Sequence, residues 1–195
     1  FNKNKRNPMK DNQVLAEVIS SLNHSTERLI LRRFNEADIP LEMEHERNPE
    51  IMKYISDIDY SDALEDSVRE FIGPWTADEG EWTSLAVSLP ERTDFIGMVC
   101  LRFESVEYSR IEIGYRFHPD YHGNGYAFES VKALLELVIK TIKVNKFLAY
   151  CVAENDASSR LMKKLGMEQE GLLRRHSTLN GQWHDEMVFG LLVDQ

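Results

Sequence analysis

The chain has 195 residues, 42% of them hydrophobic, which suffices for one domain with a real core. No apolar run approaches the ~20 residues of a membrane-spanning helix, and a formal net charge of −10 argues against sequence-independent binding to nucleic acid or an anionic membrane. Two cysteines, Cys100 and Cys151, are too few for a disulfide framework or a zinc site. Each lies in an apolar, strand-like run and reads as a buried free thiol.

Residues 1–25 read as an extension. The first of them are polar, and Val14, Leu15, Val18, Ile19 and Leu22 then recur at helical spacing, predicting a helix over 12–22. Nothing there has the uninterrupted apolar core of a signal peptide, so a cytoplasmic protein is expected. Residues 28–34 (Arg-Leu-Ile-Leu-Arg-Arg-Phe) predict a first strand. Asn35 or Asp38 then caps a helix carrying Ile39, Leu41 and Met43, and Asn48-Pro49 breaks it. A second helix follows Ser61, with Leu64, Val68, Phe71 and Ile72 on one face, and Gly73-Pro74 stops it. Charge concentrates here: residues 36–81 hold fifteen Asp or Glu against three Lys or Arg, a balance of −12.

Three strands are predicted next, over 82–89, 95–103 and 110–117, the last with alternating Ile111, Ile113 and Tyr115. A long helix begins near Phe128 and carries Val131, Leu134, Leu135, Val138, Ile139 and Ile142 as one stripe. A strand over 147–152 and a helix over 156–165, capped by Asn155 or Asp156, come after it. The tail reads as two strands joined around Asn180-Gly181, a strong hairpin signal. This order predicts an α/β (α+β) domain over 26–195, with a mixed sheet covered by helices.

The most informative passage is His122-Gly123-Asn124-Gly125-Tyr126-Ala127, between a predicted strand and a helix start. Its glycines admit turns closed to other residues. Such a loop aims several main-chain N–H groups at one point, where the helix dipole also favours an anion. It is suited to gripping a diphosphate with few cationic side chains. No Gly-Lys-Ser/Thr follows, which argues against a nucleotide hydrolase.

Four passages together resemble the GNAT superfamily of acetyl-CoA-dependent N-acetyltransferases, and within it the branch of ribosomal-protein alanine acetyltransferases. They are Thr26-Glu27-Arg28-Leu29-Ile30-Leu31-Arg32; Ile113-Gly114-Tyr115 running into the glycine loop; Asn155-Asp156-Ala157-Ser158 with Lys164-Leu165-Gly166; and Asn180-Gly181-Gln182-Trp183-His184-Asp185. The resemblance implies a mostly antiparallel sheet of about seven strands, with a bulged or splayed strand where CoA lies. It implies acetyl-CoA as cosubstrate, no metal, and a primary amine as acceptor, either a protein N-terminus or a small molecule. A homodimer built on the hairpin or the N-terminal helix is compatible with it.

The resemblance also assigns residues. Tyr115, Arg116 and Phe117 would offer edge amides to the pantetheine arm. Loop residues His122 to Ala127 would hold the diphosphate, with His122 where the family has Gln or Arg. Asn155 would bond the pantetheine or serve as an ordinary helix cap. Lys164 would reach a phosphate or be a solvated lysine. Direct transfer needs a proton acceptor for the amine, dipoles on the carbonyl oxygen and relief for the thiolate. Glu112 is the first candidate for the acceptor, against a surface glutamate facing an arginine. His176 is the second, and Asp185 and Glu186 also stand near. Many relatives place a thiolate-protonating tyrosine where this chain has Met162, so Ser158 is the candidate in its stead, against a capping role. Tyr54, Trp75 and Trp82 could line the acceptor slot. A non-catalytic acyl-CoA sensor with the same groove is the alternative reading.

Overall fold

The computed structural model describes residues 8–194. Its strands are β1 (Asn23–Ser25), β2 (Ile30–Arg33), β3 (Thr83–Ser88), β4 (Gly97–Ser105), β5 (Arg110–Phe117), β6 (Lys146–Val152), β7 (Glu168–Leu179) and β8 (Gln182–Leu192). They form one eight-stranded sheet in the order β1-β2-β3-β4-β5-β6-β8-β7. Every neighbouring pair is antiparallel except β5 and β6. Parallel neighbours need a crossover, and the helix α5 (Tyr126–Thr141) supplies it. The other helices are α1 (Pro8–Ser20), α2 (Ile39–Glu46), α3 (Pro49–Met52), α4 (Leu64–Arg69) and α6 (Asp156–Lys164).

The α5 stripe behaves as its spacing dictates. Val131, Leu134, Leu135 and Val138 are buried, each stabilising the fold by about 1.5–3 kcal/mol through lost apolar surface. They meet Ile111, Ile113 and Phe117 of β5, Phe147 of β6 and Phe189 of β8 in the main core. Leu15 and Ile19 of α1 are fully buried in the same core, so the N-terminal helix packs onto the domain. The opposite face of the sheet carries a smaller cluster of Phe34, Ala86, Phe95 and Met98 beneath the α2–α4 region.

One pairing decides where a ligand can go. β5 and β6 share only three register pairs, ending at Glu112 opposite Leu148. Beyond that point both strands keep their other neighbours, β4 and β8, but leave each other. The expected splay is therefore present. The register shift in β4 lies at Phe103/Ser105, at the other end of that strand from the opening.

Two elements escaped the periodicity. β1 is three polar residues, Asn23-His24-Ser25, with no apolar alternation to reveal it. Asn48-Pro49 reads as a breaker, yet Asn48 Oδ1 accepts the N–H groups of Glu50 at 2.9 Å and Ile51 at 3.3 Å. It thereby caps α3, with proline in the first turn, where a missing N–H costs nothing.

Candidate active site

A cavity of about 770 Å³ passes through the splay. On one side its floor is the β3–β5 face: Ser84, Met98, Cys100, Arg102, Glu112 and Gly114, with Trp82 just before β3. Its walls there come from Glu46, Tyr54, Ile55 and Phe71, and from Leu173, His176 and Ser177 of β7. On the other side it reaches Tyr115, Cys151, Asn155 and Ser158. Gly114 is required by close approach: a Cβ there would stand 2.8 Å from Cys100 Sγ. Cys100 and Cys151 are both free thiols, pushed up to about 12 and about 11 by burial, so neither is a thiolate at neutral pH.

Main-chain geometry supplies the donors. His118 N–H bonds Ile96 O at 3.0 Å, which makes Arg116 and Met98 a hydrogen-bonded pair in the antiparallel ladder. The N–H of Arg116 therefore serves β4, while those of Tyr115 and Phe117 point away from it, where β6 has departed. The Arg116 side chain is also committed. It is buried against Glu46, Nη1 to Oε1 at 2.8 Å, and against Glu42, itself fully buried. Burial pulls its guanidinium down to about 10, which still leaves it charged at neutral pH beside the two carboxylates.

Glu112 is buried, and its Oε2 accepts from Arg102 Nε at 2.8 Å and Nη2 at 2.6 Å. Arg102 in turn lies over the Trp82 ring, 4.8 Å from its centroid. Burial raises the Glu112 carboxyl above its ordinary range, and the arginine opposes that shift. Arg102 stands directly opposite Glu112 in the β4–β5 register, where cross-strand neighbours share a face; the sequence offers an arginine partner without saying which. His176 is exposed at the rim, on the stretch of β7 where the register with β8 is interrupted between Leu173 and Ser177. Glu186 lines the cavity; Asp185 instead accepts the Arg175 N–H at 2.8 Å.

Across the opening, Ser158 Oγ is 2.7 Å from the Tyr115 hydroxyl. The family resemblance assigns Tyr115 a main-chain role; the structure adds its hydroxyl. Asn155 Oδ1 caps α6 by accepting the Ser158 N–H at 3.1 Å, so capping and cavity lining coincide in one residue. Met162 is fully buried in the core and takes no part. Tyr54 and Trp82 line the cavity, but Trp75 does not: it is buried in the main core and stacked on Phe103, and its indole N–H is satisfied by the Glu81 carbonyl at 3.0 Å. Of the fifteen acidic residues in 36–81, only Glu46 lines the cavity.

The glycine loop stands at the end of β5. Gly123 and Gly125 have φ of +77° and +79°, and Gly125 caps α5 with no side chain of its own. The α5 start is thus open to an anion. His122 is exposed, but its Nε2 lies 2.9 Å from Phe117 O, which ties the loop to the strand. Asn124, Gly125 and Lys164 border a second groove of about 550 Å³. Lys164 Nζ rests 4.4 Å above the Phe128 ring. Backbone amides at a splayed strand and a glycine-turned helix start fit the amide-bearing arm and diphosphate of CoA.

Among the described residues no helix is long and apolar enough to cross a membrane, and no cluster of three or more metal-binding side chains occurs.

Comparison with known proteins agrees with this geometry. Residues 28–168 match the acetyltransferase (GNAT) domain family. The chain is 30% identical over 171 residues to the uncharacterized N-acetyltransferase YnaD of Bacillus subtilis, covering 88% of this chain and 97% of that one. The crystal structure of a GNAT-family acetyltransferase from Bacillus anthracis superposes with a TM-score of 0.74 at 27% identity, covering 88% of this chain and 98% of the other. RimL, a ribosomal alpha-N-protein acetyltransferase solved in complex with coenzyme A, shares the fold with a TM-score of 0.77 at 17% identity, covering 89% and 99%. The chain belongs to the GNAT family, enzymes that move an acetyl group from acetyl-CoA to an amine.

Proposed function

We propose that this protein acetylates a primary amine, a protein N-terminus or a small-molecule amine, by direct attack on acetyl-CoA within a ternary complex. The observation that carries the reading is the splay. Pairing of β5 with β6 stops at Glu112, and the opening joins a face bearing a raised-pKa carboxylate to a face bearing a hydroxyl pair. In this reading the N–H groups of Tyr115 and Phe117 hold the pantetheine arm and polarise the thioester carbonyl. The loop 122–127 receives the diphosphate on main-chain nitrogens, with Asn155 bordering the cavity on one side and Lys164 the second groove on the other.

Glu112 takes the proton from the attacking amine, directly or through a water, because burial lifts its basicity toward neutral pH. Ser158, backed by the Tyr115 hydroxyl, donates a hydrogen bond to the departing thiolate, which takes its proton from solvent, as Glu112 gives its own back to solvent. His176 stands at the rim as the alternative acceptor. Arg116 acts through structure, its side chain being held by two glutamates.

The decisive assay is release of free thiol from acetyl-CoA in the presence of amine and peptide panels, followed by mass spectrometry of the products. The reading predicts thiol release that depends on the amine. Thermal stabilisation by CoA with no release across the panel would favour an acyl-CoA sensor instead, a reading supported by Arg102 already neutralising Glu112.

A further inference from the structure

The turn Thr26-Glu27-Arg28 carries part of the family resemblance but has no role in the chemistry above. It reaches the first turn of α5. Glu129 Oε1 accepts the Arg28 main-chain N–H at 2.9 Å and also the Thr26 hydroxyl. Glu129 Oε2 accepts Arg28 Nε at 2.7 Å. The third edge of the same guanidinium, Nη1, donates to the main-chain oxygen of Asn124 at 3.0 Å. The guanidinium also covers the Tyr126 ring, 5.0 Å from its centroid. One arginine thus touches the residues on both sides of Gly125.

Two physical points give this contact a purpose. A trans peptide is planar, with its N–H opposite its carbonyl. Holding the Asn124 carbonyl toward Arg28 therefore turns the Gly125 N–H the other way. A carboxylate near a diphosphate seat is, by charge alone, adverse to the ligand. Glu129 makes sense there as an anchor for Arg28.

We propose that Arg28 and Glu129 form a clamp that sets the Asn124–Gly125 peptide so that its N–H faces the diphosphate of CoA. Both are positioning residues, and the inference rests on the loop being the diphosphate seat.

Isothermal titration with CoA tests it through a difference of sign. Charge alone predicts that Glu129→Gln binds CoA more tightly. The clamp predicts that Glu129→Gln and Arg28→Met each bind about tenfold more weakly through lost preorganisation, with the double variant no weaker than either single one. Pantetheine, which lacks the diphosphate, should bind parent and variants alike. Parental or tighter CoA binding by Glu129→Gln overturns the proposal, as does an equal loss for pantetheine. Should Arg28→Met fold poorly, Arg28→Lys decides: it keeps the charge but cannot span Asn124 and Glu129, so parental affinity there also overturns the clamp. Gly125→Asp separates the two levels. Parental CoA affinity in that variant removes the seat itself, whereas its loss alongside a parental Glu129→Gln removes only the clamp.

Discussion

Gly125→Asp probes the seat most directly, and its cost can be worked from the geometry. At φ +79° a residue with a Cβ bears left-handed strain of about 1–2 kcal/mol. A Cβ there meets only Arg28 Nη2, at 3.5 Å, an ordinary contact, so no clash adds to the strain. For a domain of this size that strain lowers the melting temperature by about 3–6 °C. The effect on CoA is larger. A carboxylate beside a doubly charged diphosphate in a solvent-exposed seat, partly offset by the adjacent Arg28 guanidinium, costs about 1–3 kcal/mol, or roughly 5- to 150-fold in affinity. Gly125→Ala bears the same strain without the charge and should lose far less. Calorimetric titration with CoA, with thermal melts as the folding control, reads both. Affinity within about twofold of the parent in Gly125→Asp would refute the placement of the phosphates, since even the smaller repulsion exceeds that change.

The remaining expectations concern the reaction and the buried charges. Glu112→Gln should lower kcat about 100-fold while leaving CoA affinity intact. The deficit should be full above the carboxyl's pKa and shrink as pH falls through it, because the parent's base is then protonated too; its raised pKa puts the parent's acid limb above the usual carboxylate range. A parental rate–pH profile in the variant would dismiss Glu112 as the base. Tyr115→Phe, which removes the hydroxyl 2.7 Å from Ser158, should lower kcat about tenfold and add little to Ser158→Ala, since the two hydroxyls act as one unit; full additivity in steady-state kinetics would separate them. Arg116→Met leaves the fully buried Glu42 and the half-buried Glu46 without their counter-ion and should cost about 3–5 kcal/mol in urea unfolding. A loss below about 1 kcal/mol would show that the carboxylates had simply taken up protons.

Local chemistry made much of this molecule legible in the sequence. The α5 stripe, the Asn180-Gly181 hairpin and the glycine loop are written in spacing and turn residues, and all three lie where those signals put them. What the sequence left dark depends on register and on facing. Nothing in the run 110–117 says that its pairing with β6 ends at Glu112. Nor does it say that Tyr115 turns its hydroxyl to Ser158, 43 positions further on, or that Arg116 points at α2. Trp75 and Trp82 look alike as aromatic candidates, yet only Trp75 packs into the core, with its indole N–H satisfied by a carbonyl six residues on. The acidic stretch 36–81 suggests a funnel for cations, but Asp38 is spent on Arg32 and Glu42 on Arg116. Composition counts charges without showing which are already partnered.

The three-rung seam between β5 and β6 sets a limit on how this enzyme can be improved. Stabilising a sheet ordinarily means adding rungs. Here, each rung added beyond Glu112 and Leu148 would zip 113–116 onto 149–152, satisfying the amides to which the proposed function assigns the pantetheine arm and closing the splay between the two faces. On the proposed reading a sturdier variant made that way is an inert one, and the gain in robustness must come from elsewhere in the fold.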